Sequence, residues 1–99
     1  MHTISVNDEL HAVSKVIKHP RRMAILNIVY LGNDGMSARD IRTKYKGSLL
    51  PQYLYADLVL LAKIGLISRT FSEEKGYYLY YPRFKKILID LELQTVELF

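Results

Sequence analysis

The chain has 99 residues, 49% hydrophobic and 24% charged, which fits one globular domain spanning 1–99 and leaves no room for a second. It has no cysteine, which excludes disulfide bonds, thiol catalysis and thiolate metal sites. The net charge of +4 is uneven, since residues 1–48 carry 8 Lys and Arg against 4 Asp and Glu, whereas residues 49–99 carry 6 against 6. The basic first half favours a polyanionic partner.

Two further classes of protein are disfavoured by what the sequence lacks. No apolar run approaches the roughly 18 residues of a membrane span, and the N-terminus does not resemble a signal peptide. No serine lies in a nucleophile motif and there is no glycine-rich phosphate cradle. We therefore expect a cytoplasmic protein that has no membrane partner and is not an enzyme.

The first predicted helix begins at a capping residue, Asn7 or Asp8, and ends at a His-Pro pair. Its inward positions are Leu10, Val13 and Ile17. The proline of that pair suits the first turn of a second helix, which is predicted to end before the glycine-rich segment 32–35.

A third helix is predicted from the capping box formed by Ser37 and Asp40, and its inward residues are Ile41 and Tyr45. Met36, directly before it, is expected to add a short extended segment.

The fourth predicted helix organises the rest of the chain. One apolar stripe follows its length, and Gly65 is expected to end it as a left-handed C-cap. The stripe, which must face the core, consists of Leu50, Leu54, Leu58 and Leu61. The opposite side offers amide, phenol and methyl groups to a partner, from Gln52, Tyr53, Tyr55, Ala56, Val59 and Lys63.

A β-hairpin is predicted next, with strands from Leu66 to Phe71 and from Tyr77 to Tyr81 around a polar turn. We assign the tyrosines of the second strand to the core and to interfaces, and not to base stacking: Tyr77, Tyr78, Tyr80 and Tyr81.

From Arg83 to about Leu98 the pattern predicts a helix with apolar stripes on two opposite sides. Since a monomer needs only one such face, the second indicates a homodimer. The predicted dimer interface contains Leu10, Val13, Ile17, Phe84, Ile87, Leu88, Ile89, Leu91, Leu93 and Val96.

Three helices followed by a hairpin predict an α+β, mainly α, winged helix-turn-helix, with a core of about residues 8–82 and a C-terminal dimerisation helix of about 83–98. The segment 19–26, HPRRMAIL, resembles the "P-x-R-x-x-I-L" opening of a helix in ArsR-like transcriptional regulators. Residues 53–67 resemble that family's recognition helix and the strand after it, and 67–81 its wing. The resemblance implies a dimeric, sequence-specific regulator that binds double-stranded DNA through the fourth helix.

The resemblance assigns base reading to the exposed side of the fourth helix, where Gln can pair with adenine and an alanine methyl can meet thymine. The base-reading residues are Gln52, Tyr53, Tyr55 and Ala56. Contacts to the DNA backbone are assigned to Arg39, Arg42, Lys44, Lys46, Lys63, Arg69 and Lys75. Lys15, Lys18, Arg21 and Arg22 could extend this phosphate track.

Departures from the family disfavour a metal cofactor and leave an alternative open. Ser37 and Arg39 stand where metal-sensing members have cysteines, and the C-terminal segment has no histidine. We expect no metal and no other cofactor. The acidic pair Glu73-Glu74 at the wing tip, with the apolar fourth helix, keeps open a winged-helix protein interaction module that reads no DNA.

Overall fold

The computed structural model describes residues 2–90, 92 and 95–99, with side chains from His11 onward except that of Thr95. Four helices and five strands form in this part of the chain. The helices are α1 (Val6–Ile17), α2 (Pro20–Leu31), α3 (Ala38–Lys44) and α4 (Pro51–Ile64). The strands are β1 (His2–Ser5), β2 (Ile67–Ser72), β3 (Tyr77–Pro82), β4 (Ile87–Asp90) and β5 (Thr95–Leu98).

The starts of α2, α3 and α4 and the end of α4 follow the predicted signals, whereas the cap predicted at Asn7 or Asp8 is wrong, because α1 begins at Val6. The Ser37 hydroxyl accepts a hydrogen bond from the backbone N–H of Asp40 at 3.1 Å, which caps α3. Pro20 and Pro51 occupy the first turns of α2 and α4, where a missing N–H costs no hydrogen bond. Gly65 ends α4 with a φ of 92°, the left-handed conformation that glycine adopts without strain.

The core forms where α4 packs against α1, α2 and α3. Leu54, Leu58 and Leu61 are each at most 1% exposed, and Ile25 of α2 and Ile41 of α3 are fully buried in the same cluster. The predicted stripe is therefore confirmed for three of its four leucines. It is wrong for Leu50, which is 48% exposed, because the helix begins only at the following proline.

Strands β2 and β3 form the predicted antiparallel hairpin, with Phe71 opposite Tyr78. Met36 adds the expected extended segment, because its N–H donates to the Tyr80 carbonyl at 3.0 Å and the Tyr80 N–H donates back at 2.8 Å. Of the four tyrosines assigned to the core and to interfaces, Tyr80 is buried and Tyr81 is half-buried, whereas Tyr77 and Tyr78 are 44% and 38% exposed. For Tyr77 and Tyr78 an interface role stays a prediction.

The predicted C-terminal helix is wrong, because the described residues of this segment form strands. Antiparallel β4 and β5 pair with each other, and β1 pairs with β5, giving a three-stranded sheet of order β1-β5-β4. Ile87 lies opposite Leu98 and Ile89 opposite Val96. These residues share one face of the sheet, since side chains alternate along a strand. That period of two produces two opposite stripes when it is drawn on a helix, which explains the error.

The sheet also changes what the predicted dimer residues do. Val13 of α1 and Val96 of β5 are fully buried within one chain, so their side chains have no surface to offer a partner. Phe84, Ile87 and Ile89 are half-buried against the same core. Two members keep exposed surface, Ile17 at 37% and Leu88 at 43%. Leu91, Leu93 and the side chain of Leu10 lie outside the described residues.

Across the described ranges, no helix has both the length and the apolar character that crossing a membrane requires.

Candidate nucleic-acid interface

The outward side of the first turns of α4 is accessible to a partner, as predicted. We call this the reading face and define it as Gln52, Tyr53, Tyr55 and Ala56. All four side chains are exposed, with Tyr53 at 49% and Tyr55 at 53%. Because the opposite side of the helix lies in the core, the reading face has a fixed orientation. Val59 and Lys63 extend the exposed side toward the end of α4.

Basic side chains stand beside the reading face on α3 and on the loop after it. Arg39, Arg42 and Lys44 are exposed on α3, and Lys46 is exposed just beyond it. Arg39 and Arg42 line one polar cleft together with the loop 47–50 that leads into α4. The structure therefore brings two arginines that were predicted to bind phosphates to the start of α4.

The other residues predicted to contact the DNA backbone lie on other elements of the fold. Lys63 lies in the last turn of α4, Lys75 lies in the turn between β2 and β3, and both are exposed. The Arg69 guanidinium of β2 lies 4.5 Å from the ring centroid of Tyr78, a cation–π contact. Burial raises the pKa of the Tyr80 hydroxyl, although the nearby Arg69 opposes the shift. Arg69 is thus already engaged with the hairpin.

A groove separates the hairpin from α3 and the reading face. Arg39, Tyr55 and Tyr78 line it, and so does Phe71, which meets Tyr78 edge to face at a centroid distance of 5.2 Å. Phe71 is 49% exposed. The sequence alone does not distinguish Phe71 as a surface residue, but its position opposite Tyr78 follows once the hairpin is aligned. The groove combines cationic and aromatic side chains along the edge of the reading face.

An ion-pair cluster that the sequence analysis missed fixes α4 against α2. Asp57, on the inner side of α4, is 1% exposed. Its carboxylate accepts hydrogen bonds from the Arg21 Nε at 2.5 Å, the Arg21 Nη2 at 3.0 Å and the Arg22 Nε at 3.0 Å. We call these three residues the Asp57 clamp. The signal in the sequence was an acidic residue inside the leucine stripe, with two adjacent arginines at the start of α2.

Arg21 and Arg22, which were expected to extend the phosphate track, bind the Asp57 carboxylate within the chain. Burial alone would raise the pKa of the Asp57 carboxyl, but the hydrogen bonds from both arginines outweigh it and hold that pKa below its ordinary value. The bond to Asp57 in turn raises the pKa of Arg21. The Arg21 guanidinium also lies 5.2 Å from the Tyr53 ring centroid, which connects the clamp to the reading face.

Within the part of the chain that the structure describes, no group of three or more His, Cys, Asp or Glu side chains could hold a metal ion. The acidic pair Glu73-Glu74 is exposed at the tip of the hairpin.

The arrangement of helices and hairpin is similar to a solved structure, that of the ferric uptake regulator of Vibrio cholerae, which was described with a rearrangement of its DNA-binding domains. The TM-score is 0.62 with 18% sequence identity, over 93% of this chain and 76% of that one. The chain has a winged-helix fold. At this identity the likeness concerns the fold alone, and it does not single out the ArsR-like family. No family model and no curated protein sequence matches the chain.

The Asp57 clamp predicts a stability contribution that depends on pH. Asp57→Asn removes the charge but keeps the size, so it should lower the free energy of unfolding at pH 7 by about 1.5–3 kcal/mol, the range for hydrogen bonds to charged groups. Because the folded pKa of Asp57 is lowered, the charge contributes fully above the ordinary value of 3.8 and loses its effect as the pH falls through the folded pKa. The difference between parent and variant should therefore shrink below pH 4.

Urea unfolding at a series of pH values measures this difference, and the subtraction removes the effect of all other carboxyls. Asp34→Asn, at an exposed turn position, is the matched control and should change little. Equal stability of parent and Asp57→Asn at pH 7 would contradict the assigned role.

Proposed function

We propose that the chain is a sequence-specific transcriptional regulator that binds double-stranded DNA. The observation that carries the proposal is the reading face itself, a polar and aromatic surface on a helix whose other side is buried and clamped. Arg39 and Arg42 stand next to it with their side chains exposed. In a winged-helix protein this combination suits entry of α4 into the major groove and contact of α3 with phosphates.

The proposed contacts divide into two chemical kinds. Gln52 would pair with adenine through two hydrogen bonds, the Tyr55 hydroxyl would bond a base edge, and the Ala56 methyl would meet thymine. Tyr53, held by Arg21, would border them. Exposed cations would bind phosphates, and these contacts do not depend on the DNA sequence. The cations are Arg39, Arg42, Lys44 and Lys46, with Lys63, Arg69 and Lys75 further out. No metal or other cofactor is part of the proposal.

We further propose a cytoplasmic homodimer on a pseudo-palindromic site, because one reading helix covers only one half-site. The two-striped helix no longer supports this. What supports it now is β4, an edge strand of its sheet among the described residues, and the exposed side chains of Leu88 and Ile17. The relation to ArsR-like regulators also remains a proposal, based on the sequence motifs alone.

Substitutions on α4 and α3 can separate base reading from phosphate binding. Gln52→Ala or Tyr55→Phe should weaken binding to the preferred site by about 1–3 kcal/mol and leave non-specific binding unchanged, since each removes a base contact. Arg42→Ala should weaken binding to all duplexes alike and lower the magnitude of the salt slope by about one. Fluorescence anisotropy on specific and scrambled duplexes at several salt concentrations measures both effects.

Leu58→Ala is the control for indirect effects. It should cost about 2–5 kcal/mol of folding stability and reduce binding only through unfolding. Val59→Ala, the exposed neighbour on the same helix, should change stability by no more than about 0.5 kcal/mol. If folded Gln52→Ala and Tyr55→Phe bind every duplex as the parent does, α4 does not read DNA.

The proposed homodimer can be tested by sedimentation. We expect sedimentation equilibrium to show a dimer at micromolar concentrations, and Leu88→Lys to shift it toward monomer without unfolding the chain, since Leu88 is exposed. A parent protein that sediments as a monomer throughout this range would remove the two-half-site part of the proposal.

A second candidate function has specific support. Tyr53, Tyr55 and Val59 are each about half exposed on α4, and an apolar surface of this kind also fits a protein partner. The acidic residues Glu73 and Glu74 at the wing tip oppose phosphate binding there. Such an interaction module would show no steeply salt-dependent binding to duplex DNA, because only DNA binding requires counterion release.

A further inference from the structure

A cleft lies between α2 and the segment that leads from the hairpin into β4. Its lining shares no residue with the reading face or with the cations proposed to bind DNA. The cleft has a volume of about 320 Å³, within the range of small-molecule sites. The lining residues are Met23, Leu26, Asn27, Tyr30, Leu66, Phe84, Lys85, Lys86 and Ile87.

The cleft has an apolar base that the fold holds in place. Leu66 is buried, and Leu26, Phe84 and Ile87 pack half-buried against the core. Backbone hydrogen bonds fix the segment on the far side, from the Arg83 N–H to the Leu66 carbonyl at 3.2 Å and from the Phe99 N–H to the Lys86 carbonyl at 3.0 Å. The site is therefore formed before any ligand binds.

The edge of the cleft is chemically different from its base. Met23 and Tyr30 remain 37% and 39% exposed, so apolar surface is left facing water. Asn27 and the Tyr30 phenol offer hydrogen bonds, while Lys85 and Lys86 supply positive charge. No acidic residue is among the lining, and the described residues hold neither lysine in an ion pair, although the Lys86 ammonium lies 5.5 Å from the Phe99 ring centroid.

From an apolar base bordered by two exposed lysines that form no ion pair within the described residues, we infer that this cleft binds a small amphipathic carboxylate, with its hydrocarbon body on Leu26, Phe84 and Ile87 and its carboxylate at Lys85 and Lys86. Such a ligand would contact α2 and the C-terminal segment together. This inference does not depend on DNA binding. Whether or not the chain binds DNA, binding of a carboxylate in the cleft is tested by a separate experiment.

The test is a titration of the ¹⁵N-labelled full chain with octanoate, in which the amide chemical shifts are measured at each octanoate concentration. We expect saturable shifts concentrated at Leu26, Tyr30, Phe84 and Ile87. Octan-1-ol, which keeps the chain and lacks the charge, should bind at least about threefold more weakly, because exposed ion pairs contribute modestly. The double variant Lys85→Gln/Lys86→Gln should lose affinity for octanoate to the same extent and bind octan-1-ol as the parent does.

Two further variants make the result specific. Lys15→Gln/Lys18→Gln removes the same charge from two exposed positions, one on α1 and one directly after it, outside the cleft, and should leave octanoate binding unchanged. Asn27→Trp, at an exposed lining position, should fill the cleft and abolish binding of both ligands while the fold is retained. The inference is overturned if octanoate gives no saturable shifts at millimolar concentration, if the shifts lie elsewhere, or if Lys85→Gln/Lys86→Gln binds octanoate as tightly as the parent.

Discussion

The buried carboxylate of Asp57 is the constraint that orients the rest of the molecule. A charge at 1% exposure is tolerated only when hydrogen-bonded cations compensate it, and here Arg21 and Arg22 do so from the start of α2. Only one orientation of α4 about its own axis places Asp57 against both arginines. That orientation turns Leu54, Leu58 and Leu61 inward, and it leaves the reading face toward solvent. The same ion pairs that stabilise the fold thus determine which side chains a partner meets.

The clamp reaches the reading face through Arg21, whose guanidinium lies over the Tyr53 ring. A surface that recognises a partner needs side chains held in a narrow range of orientations. The reading face gains this from a buried helix side, a proline at the first turn and a glycine cap at the end. The groove toward the hairpin adds an aromatic wall in which Phe71 and Tyr78 hold each other edge to face.

Local signals made much of the fold predictable. Ser37, Pro20, Pro51 and Gly65 mark helix ends for reasons that involve only a few neighbouring residues, so these boundaries could be found without knowledge of the fold. The exposure of the reading face followed from the leucine stripe in the same way. The C-terminal strands did not, because alternating Ile, Leu and Val residues fit a two-faced helix as well as a strand.

The ambiguity is decided by the pairing of β5 with β1, a strand at the other end of the sequence, and by the packing of α1 against β5, where Val13 and Val96 join the same buried cluster. Neither is visible in a local window. The clamp was missed for a related reason, since an Asp within a leucine stripe is explained only by cations 35 and 36 residues away in sequence. The sheet thus uses apolar residues within one chain that the sequence alone had suggested for a partner.

The central claim is that α4 reads DNA sequence, and a selection of bound duplexes from a random pool tests it most directly. The account predicts enrichment of a pseudo-palindromic site, and a relaxed base preference at one position of each half-site when the selection is repeated with Gln52→Ala. A folded protein that enriches no sequence from the pool would contradict the account and favour the protein interaction module.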